Sequence, residues 1–155
     1  MRLTVVAVGQ KVPAWAQSGW DEFYIRFPAE FKVEIKTIKA EPRGSKSVPQ
    51  LMHSEAQRIQ AAIPKDAYII ALDERGKSLT TDQLSEALSS LQDGVRDVAF
   101  LIGGPDGLSP QLKSSSNMML RLSDLTLPHA MVRVILIEQL YRAWSILTHH
   151  PYHRE

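Results

Sequence analysis

Asp97-Val98-Ala99-Phe100-Leu101-Ile102-Gly103-Gly104-Pro105-Asp106-Gly107 is an apolar run that halts on a glycine-rich turn. A short, continuous apolar segment bounded by turn residues fits a strand covered on both faces. Ala67 to Leu72, closed by Asp73, repeats the pattern, and Leu3 to Val8, closed by Gly9, is β-rich. Phe31, Val33, Ile35 and Thr37 alternate with polar residues, which predicts a strand with one wet face.

Helical patterns lie between these strands. Ala16, Trp20, Phe23, Tyr24 and Phe27 share one face of a helix read over Pro13 to Phe27. Met52, Ala56, Ile59 and Ile63 recur at helical spacing up to Pro64. Thr80 and Gln83 form a capping box ahead of Leu84, Ala87, Leu88 and Leu91. Ser109-Pro110 suits the start of a short helix, and Met118 to Leu127 reads as extended. The last helix runs from Pro128 to about Thr148, and Lys39 to Pro49 is a loop. Strands alternating with helices predict an α/β fold, a mainly parallel sheet with helices on both faces. Ligands of such sheets bind beyond the carboxyl ends of the strands. The candidate loops are therefore Leu72 to Lys77, Gly103 to Leu108 and Leu122 to His129.

The chain has 155 residues, enough for one domain over 1–155. Cysteine is absent, which excludes disulfides, thiolate metal sites and cysteine nucleophiles. The apolar start is too short for a secretory signal, and no run long enough to span a membrane exists, which points to the cytoplasm. The formal net charge is only +1, low for a protein that grips nucleic acid by charge alone. RNA contact would need local clusters, such as Lys36, Lys39, Arg43 and Lys46, or the pooled surfaces of two subunits.

The glycine run is neither a P-loop nor a dinucleotide fingerprint. It allows close backbone approach to a ligand, or simply a tight turn. Leu122-Ser123-Asp124-Leu125-Thr126-Leu127-Pro128-His129 can wrap a nucleobase, or merely lead into a helix. In the tail, Tyr152 can stack on a base and Arg154 can pair with phosphate or a developing anion. His149, His150 and His153 carry no patterned carboxylate or thiolate beside them, so no metal is expected. The final helix is apolar around nearly its whole circumference, which suggests a second subunit against it. Glu138 and Arg142, four residues apart, suit an ion pair.

Taken in order, these segments resemble a known family. Leu72-Asp73 with Gly76-Lys77, Leu101 to Gly107, Leu125-Thr126-Leu127-Pro128-His129, Glu138 to Ala143 and Pro151-Tyr152-His153-Arg154 match the SPOUT (α/β-knot) methyltransferases. The likeness is to the type that methylates N3 of a pseudouridine in large-subunit ribosomal RNA. It covers the whole chain and implies a C-terminal trefoil knot, which general topology rules would have discouraged. It also implies S-adenosylmethionine as cofactor, a homodimer, and 23S rRNA (the helix 69 loop) in the assembled ribosome as partner. By this resemblance Leu72, Gly103, Leu122, Ser123, Asp124, Leu125, Thr126 and Leu127 contact the cofactor. His129, Arg142, Tyr152, His153 and Arg154 form the substrate end; the N3 proton needs an acceptor, and the chemistry leaves His129 and His153 both open for it. The tail would serve its own pocket or the partner's. A knot methyltransferase acting on tRNA and a non-catalytic nucleotide-binding module remain open alternatives.

Overall fold

The computed structural model describes residues 1–94 and 96–154. Glu155, which ends the tail considered above, lies outside them. Five strands, β1 (Arg2–Val8), β2 (Lys32–Ile38), β3 (Tyr68–Ser78), β4 (Val98–Ile102) and β5 (Met118–Arg121), form one sheet in the order β2-β1-β4-β3-β5. Every pairing between them is parallel. The helices are α1 (Ala14–Tyr24), α2 (Val48–Ala62), α3 (Thr81–Asp93), α4 (Pro110–Ser115) and α5 (His129–Leu147). Single 3₁₀ turns cover Ala29–Phe31 and Pro151–Arg154.

Side-chain alternation along the strands divides the core in two. Leu3, Val5 and Ala7 of β1, with Val98, Phe100 and Ile102 of β4, pack on Trp20 of α1, Leu84 and Leu88 of α3, and Leu136, Ile137 and Leu140 of α5. Val6, Val8, Ala71 and Leu101 face the other way, onto Ile59 of α2 and Leu108 and Leu112 beside and within α4. The predicted two-sided coverage is present. It explains why β4 reads as unbroken apolar sequence, since all five of its residues are buried.

Several boundaries differ from the sequence reading, for identifiable reasons. α2 begins at Val48, inside the segment read as a loop. Ser47 and Gln50 close a reciprocal capping box there, and Pro49 stands in the first turn, where its missing N–H costs nothing. β3 does not end at Leu72. Its ladder with β5 jumps, so that Leu120 stands opposite both Leu72 and Lys77. The residues between bulge out toward the sheet's carboxyl edge. A Cβ at Gly76 would lie 2.7 Å from the Leu120 carbonyl carbon, so the rejoined strand accepts only glycine there. β5 is shorter than the Met118 to Leu127 stretch, and its continuation is an irregular loop.

α5 is partly covered within its own chain. The apolar circumference suggests a second subunit, and α1 and α3 take up part of it within the chain. Gly19 lets α1 approach until a Cβ there would meet Val134 Cγ1 at 3.0 Å. No residue along α5 is exposed. Packing within one chain thus accounts for much of the pattern.

Candidate functional site

Beyond the carboxyl ends of β3, β4 and β5 the three loops named from the sequence enclose a cleft of about 630 Å³. The volume lies within the range usual for small-molecule sites. Leu72, Gly103, Leu122, Ser123, Leu125, Thr126 and Leu127 all line it, as does His129. Asp124 does not. Its side chain is turned to solvent and pairs with Arg121 at 3.2 Å. Sequence reasoning did not single out Arg121 or Lys113 as site residues, though both line the cleft. Lys113 Nζ donates to Asp73 Oδ2 at 3.2 Å, joining α4 to the β3 bulge. Nothing in the local sequence around Lys113 marks it, because its partner is 40 residues away.

Loop backbone fixes the cleft's shape. A Cβ on Gly103 would lie 2.6 Å from the carbonyl carbon of Gly107, so Gly103 is required by closure of its own turn. Gly107 N–H donates to the Gly104 carbonyl at 2.9 Å, and Gly107 has φ +78°, a left-handed conformation that favours glycine. The tight-turn explanation of this motif therefore holds, whatever the loop also does for a ligand. The Ser123 hydroxyl accepts from Leu125 N–H at 2.9 Å, and Leu125 itself projects outward, 76% exposed at the rim.

His129 opens α5 at the back of the cleft. Arg133, one turn on, donates from Nε to His129 Nε2 at 3.3 Å and from Nη2 to the Val8 carbonyl at 3.2 Å. Burial holds the His129 imidazole below the ordinary histidine value of 6.5. The Arg133 charge pushes the same way, and a hydrogen bond at the Gly103 backbone opposes both. His129 is thus neutral around pH 7.

The remaining predicted residues gather elsewhere. Arg142 lies thirteen residues after His129 on the same helix, about 20 Å along its axis. Neither Arg142 nor Tyr152, His153 or Arg154 lines the cleft. They form a second cluster around Glu138. Its Oε1 accepts from Arg142 Nε at 2.8 Å and from the Tyr152 hydroxyl at 3.0 Å, and its Oε2 accepts from Gln139 Nε2 at 2.8 Å. Tyr152 packs edge-on against Tyr141 at 4.9 Å, and the Arg142 guanidinium lies 4.9 Å from the centre of its ring. Its ring is therefore an anchor clamping the tail to α5. His153 Nδ1 lies 3.2 Å from Ser145 Oγ, and Arg154 is exposed. Among the described residues no group of three histidines and carboxylates converges as a metal site, and no helix is long and apolar enough to cross a membrane.

Of the basic patch, Arg43 pairs with Asp106 of the glycine turn at 2.9 Å and Lys46 pairs with Glu41, which Arg58 of α2 also meets. Lys36 donates to the Ala62 carbonyl at 3.1 Å. These contacts spend part of the patch's charge inside the protein.

Residues 1–153 match the family described as "Predicted SPOUT methyltransferase". The chain belongs to the SPOUT methyltransferase family. Relatives named "Ribosomal RNA large subunit methyltransferase H" match this SPOUT chain along its length. The one from Albidiferax ferrireducens is 61% identical and that from Polaromonas naphthalenivorans 60%, each over 100% of both chains. The one from Burkholderia thailandensis is 56% identical over 99% of both. Among solved structures, TrmJ from Z. mobilis superposes with TM-score 0.54 at 12% identity, over 90% of this chain and 69% of that one. A probable methylase family protein from Haemophilus influenzae gives the same TM-score and identity, over 97% and 69%. At that identity the likeness speaks for fold alone, and the fold is the expected parallel α/β-knot.

Proposed function

We propose that this SPOUT protein is an S-adenosylmethionine-dependent methyltransferase of 23S rRNA, acting on N3 of a pseudouridine in the helix 69 loop of the assembled ribosome. It would work in the cytoplasm as one domain over 1–155 and as a homodimer. The observation that carries the reading is the cleft, formed by the family's own loops at the carboxyl edge of a parallel sheet.

The residues fit such a cofactor. Leu72, Ile102, Leu122, Leu127 and Val132 supply apolar walls for an adenine, and Ser123, Thr126 and Asp73 supply polar groups for a ribose or amino-acid end. Gly103, the 122–127 loop and Leu72 would hold it. Bound there, it would supply a methyl group already activated by a sulfonium. The protein's part is then to position a nitrogen, exclude water and remove one proton.

The split between cleft and tail supports two-chain assembly. One helix cannot bring residues about 20 Å apart along its axis to a single reacting atom. A partner's Arg142, Tyr152, His153 and Arg154 would complete the cleft, with Arg154 and Arg142 offsetting negative charge on the base. The +1 net charge and the internally paired basic patch fit a catalyst that relies on a pre-shaped ribosomal surface.

The test is transfer of labelled methyl to 70S ribosomes from cells lacking the modification, followed by mapping in 23S rRNA. Label at one N3-methylated pseudouridine is expected. Label confined to tRNA, or no transfer with intact protein, would contradict the assignment.

A further inference from the structure

We propose that His153 Nε2 takes the N3 proton, with Ser145 as the positioning residue that leaves that nitrogen able to accept it. This rests on the reading above, in which the tail meets the base.

Ser145 is completely buried on α5. Its Oγ lies 2.7 Å from the Arg142 carbonyl oxygen. A carbonyl cannot donate, so the hydroxyl hydrogen lies on that line. Toward its other neighbour, His153 Nδ1 at 3.2 Å, the same oxygen can only accept. Nδ1 therefore carries the hydrogen, and a neutral ring then has its lone pair on Nε2. Among the described residues Nε2 has no hydrogen-bond partner.

The competing histidines are arranged the opposite way. A guanidinium only donates, so the Arg133 bond at 3.3 Å occupies the lone pair of His129 Nε2 and leaves the proton on Nδ1. His129 thus offers its substrate no acceptor. His150 Nδ1 accepts from Tyr152 N–H at 3.2 Å, which commits that ring as well.

In the step, N3 bonds to the methyl carbon and the N3–H proton passes to His153 Nε2. The carbon–sulfur bond breaks with its electron pair going to sulfur, releasing S-adenosylhomocysteine. The imidazolium then returns its proton to water.

The test joins a structural readout to a kinetic one. Long-range proton–nitrogen NMR of the intact, cofactor-free protein should show His153 protonated on Nδ1. Ser145→Ala should move it toward the Nε2–H form. His153→Gln should lower kcat by about a hundredfold while KM for ribosomes changes little, and Ser145→Ala by about tenfold. An Nε2–H tautomer in the wild type overturns the proposal, as does a folded His153→Gln variant with undiminished kcat beside an active wild type. A wild type that methylates no ribosome overturns this proposal together with the functional reading beneath it.

Discussion

His129 stands where the cleft meets the buried end of β1, and its protonation is opposed first by burial and then by Arg133. Its folded-state pKa lies below the unfolded value of 6.5, so between the two the unfolded chain binds more protons. Stability from this group should fall as pH drops through 6.5 toward the folded value and level off below it, with no recovery at lower pH. Thermal melts of wild type and His129→Gln at stepped pH check this. The difference between them should narrow on acidification, and a pH-independent difference would contradict it. Gly76 gives a second prediction. Gly76→Ala forces a Cβ to within 2.7 Å of the β5 backbone and should cost about 1–3 kcal/mol in urea denaturation, with weaker cofactor binding by calorimetry because the bulge lines the cleft. At this scale the cleft was legible where chemistry is local. Glycines and small polar residues just past buried strands marked the three loops that line the cleft, while the individual residues Leu72, Gly103 and 122–127 came from the resemblance. Asp124 stands outside the cleft lining, its carboxylate paired with the neighbouring Arg121. The clasp of Tyr152 on Glu138 reaches across a chain reversal at Thr148–His150 that no periodicity encodes.

Helix starts are the element-scale features most directly written in the residues. Thr80 with Gln83 and Ser47 with Gln50 each satisfy two N–H groups that the helix leaves unpaired. Thr80→Ala and Ser47→Ala should each lose about 1 kcal/mol of stability, measured by denaturant midpoint at unchanged slope. An unchanged midpoint for either would show that helix held elsewhere. One cap was read from sequence and the other missed, because the stretch ending at Pro49 reads as a loop, although a proline is tolerated in a helix's first turn. The strands were legible because burial on both faces leaves an unbroken apolar run at β4 and one broken only by Thr4 from Leu3 to Val8 of β1. The bulge in β3 was not, since it depends on Leu120 serving two partners and pairing register is invisible along one strand.

The whole molecule carries a cleft at the sheet's carboxyl edge and, from about 9 to about 20 Å beyond cleft-lining Val132 along α5, a tail cluster held by Glu138 and Ser145. The apolar circumference of α5 pointed to a partner subunit, but α1 and α3 cover much of it. The proposed dimer rests instead on the separation within one chain of the cleft from the tail cluster, which a partner's tail would bridge. Subunit complementation tests this most directly. Ser123→Trp blocks the cleft and Arg154→Ala removes a tail cation, and each alone should be inactive. Refolded together, half the dimers would be mixed, each joining one intact cleft to one intact tail across the interface. Methyl transfer should return to about a quarter of the wild-type rate per chain. A mixture of folded, dimeric protein that stays silent would contradict the shared site.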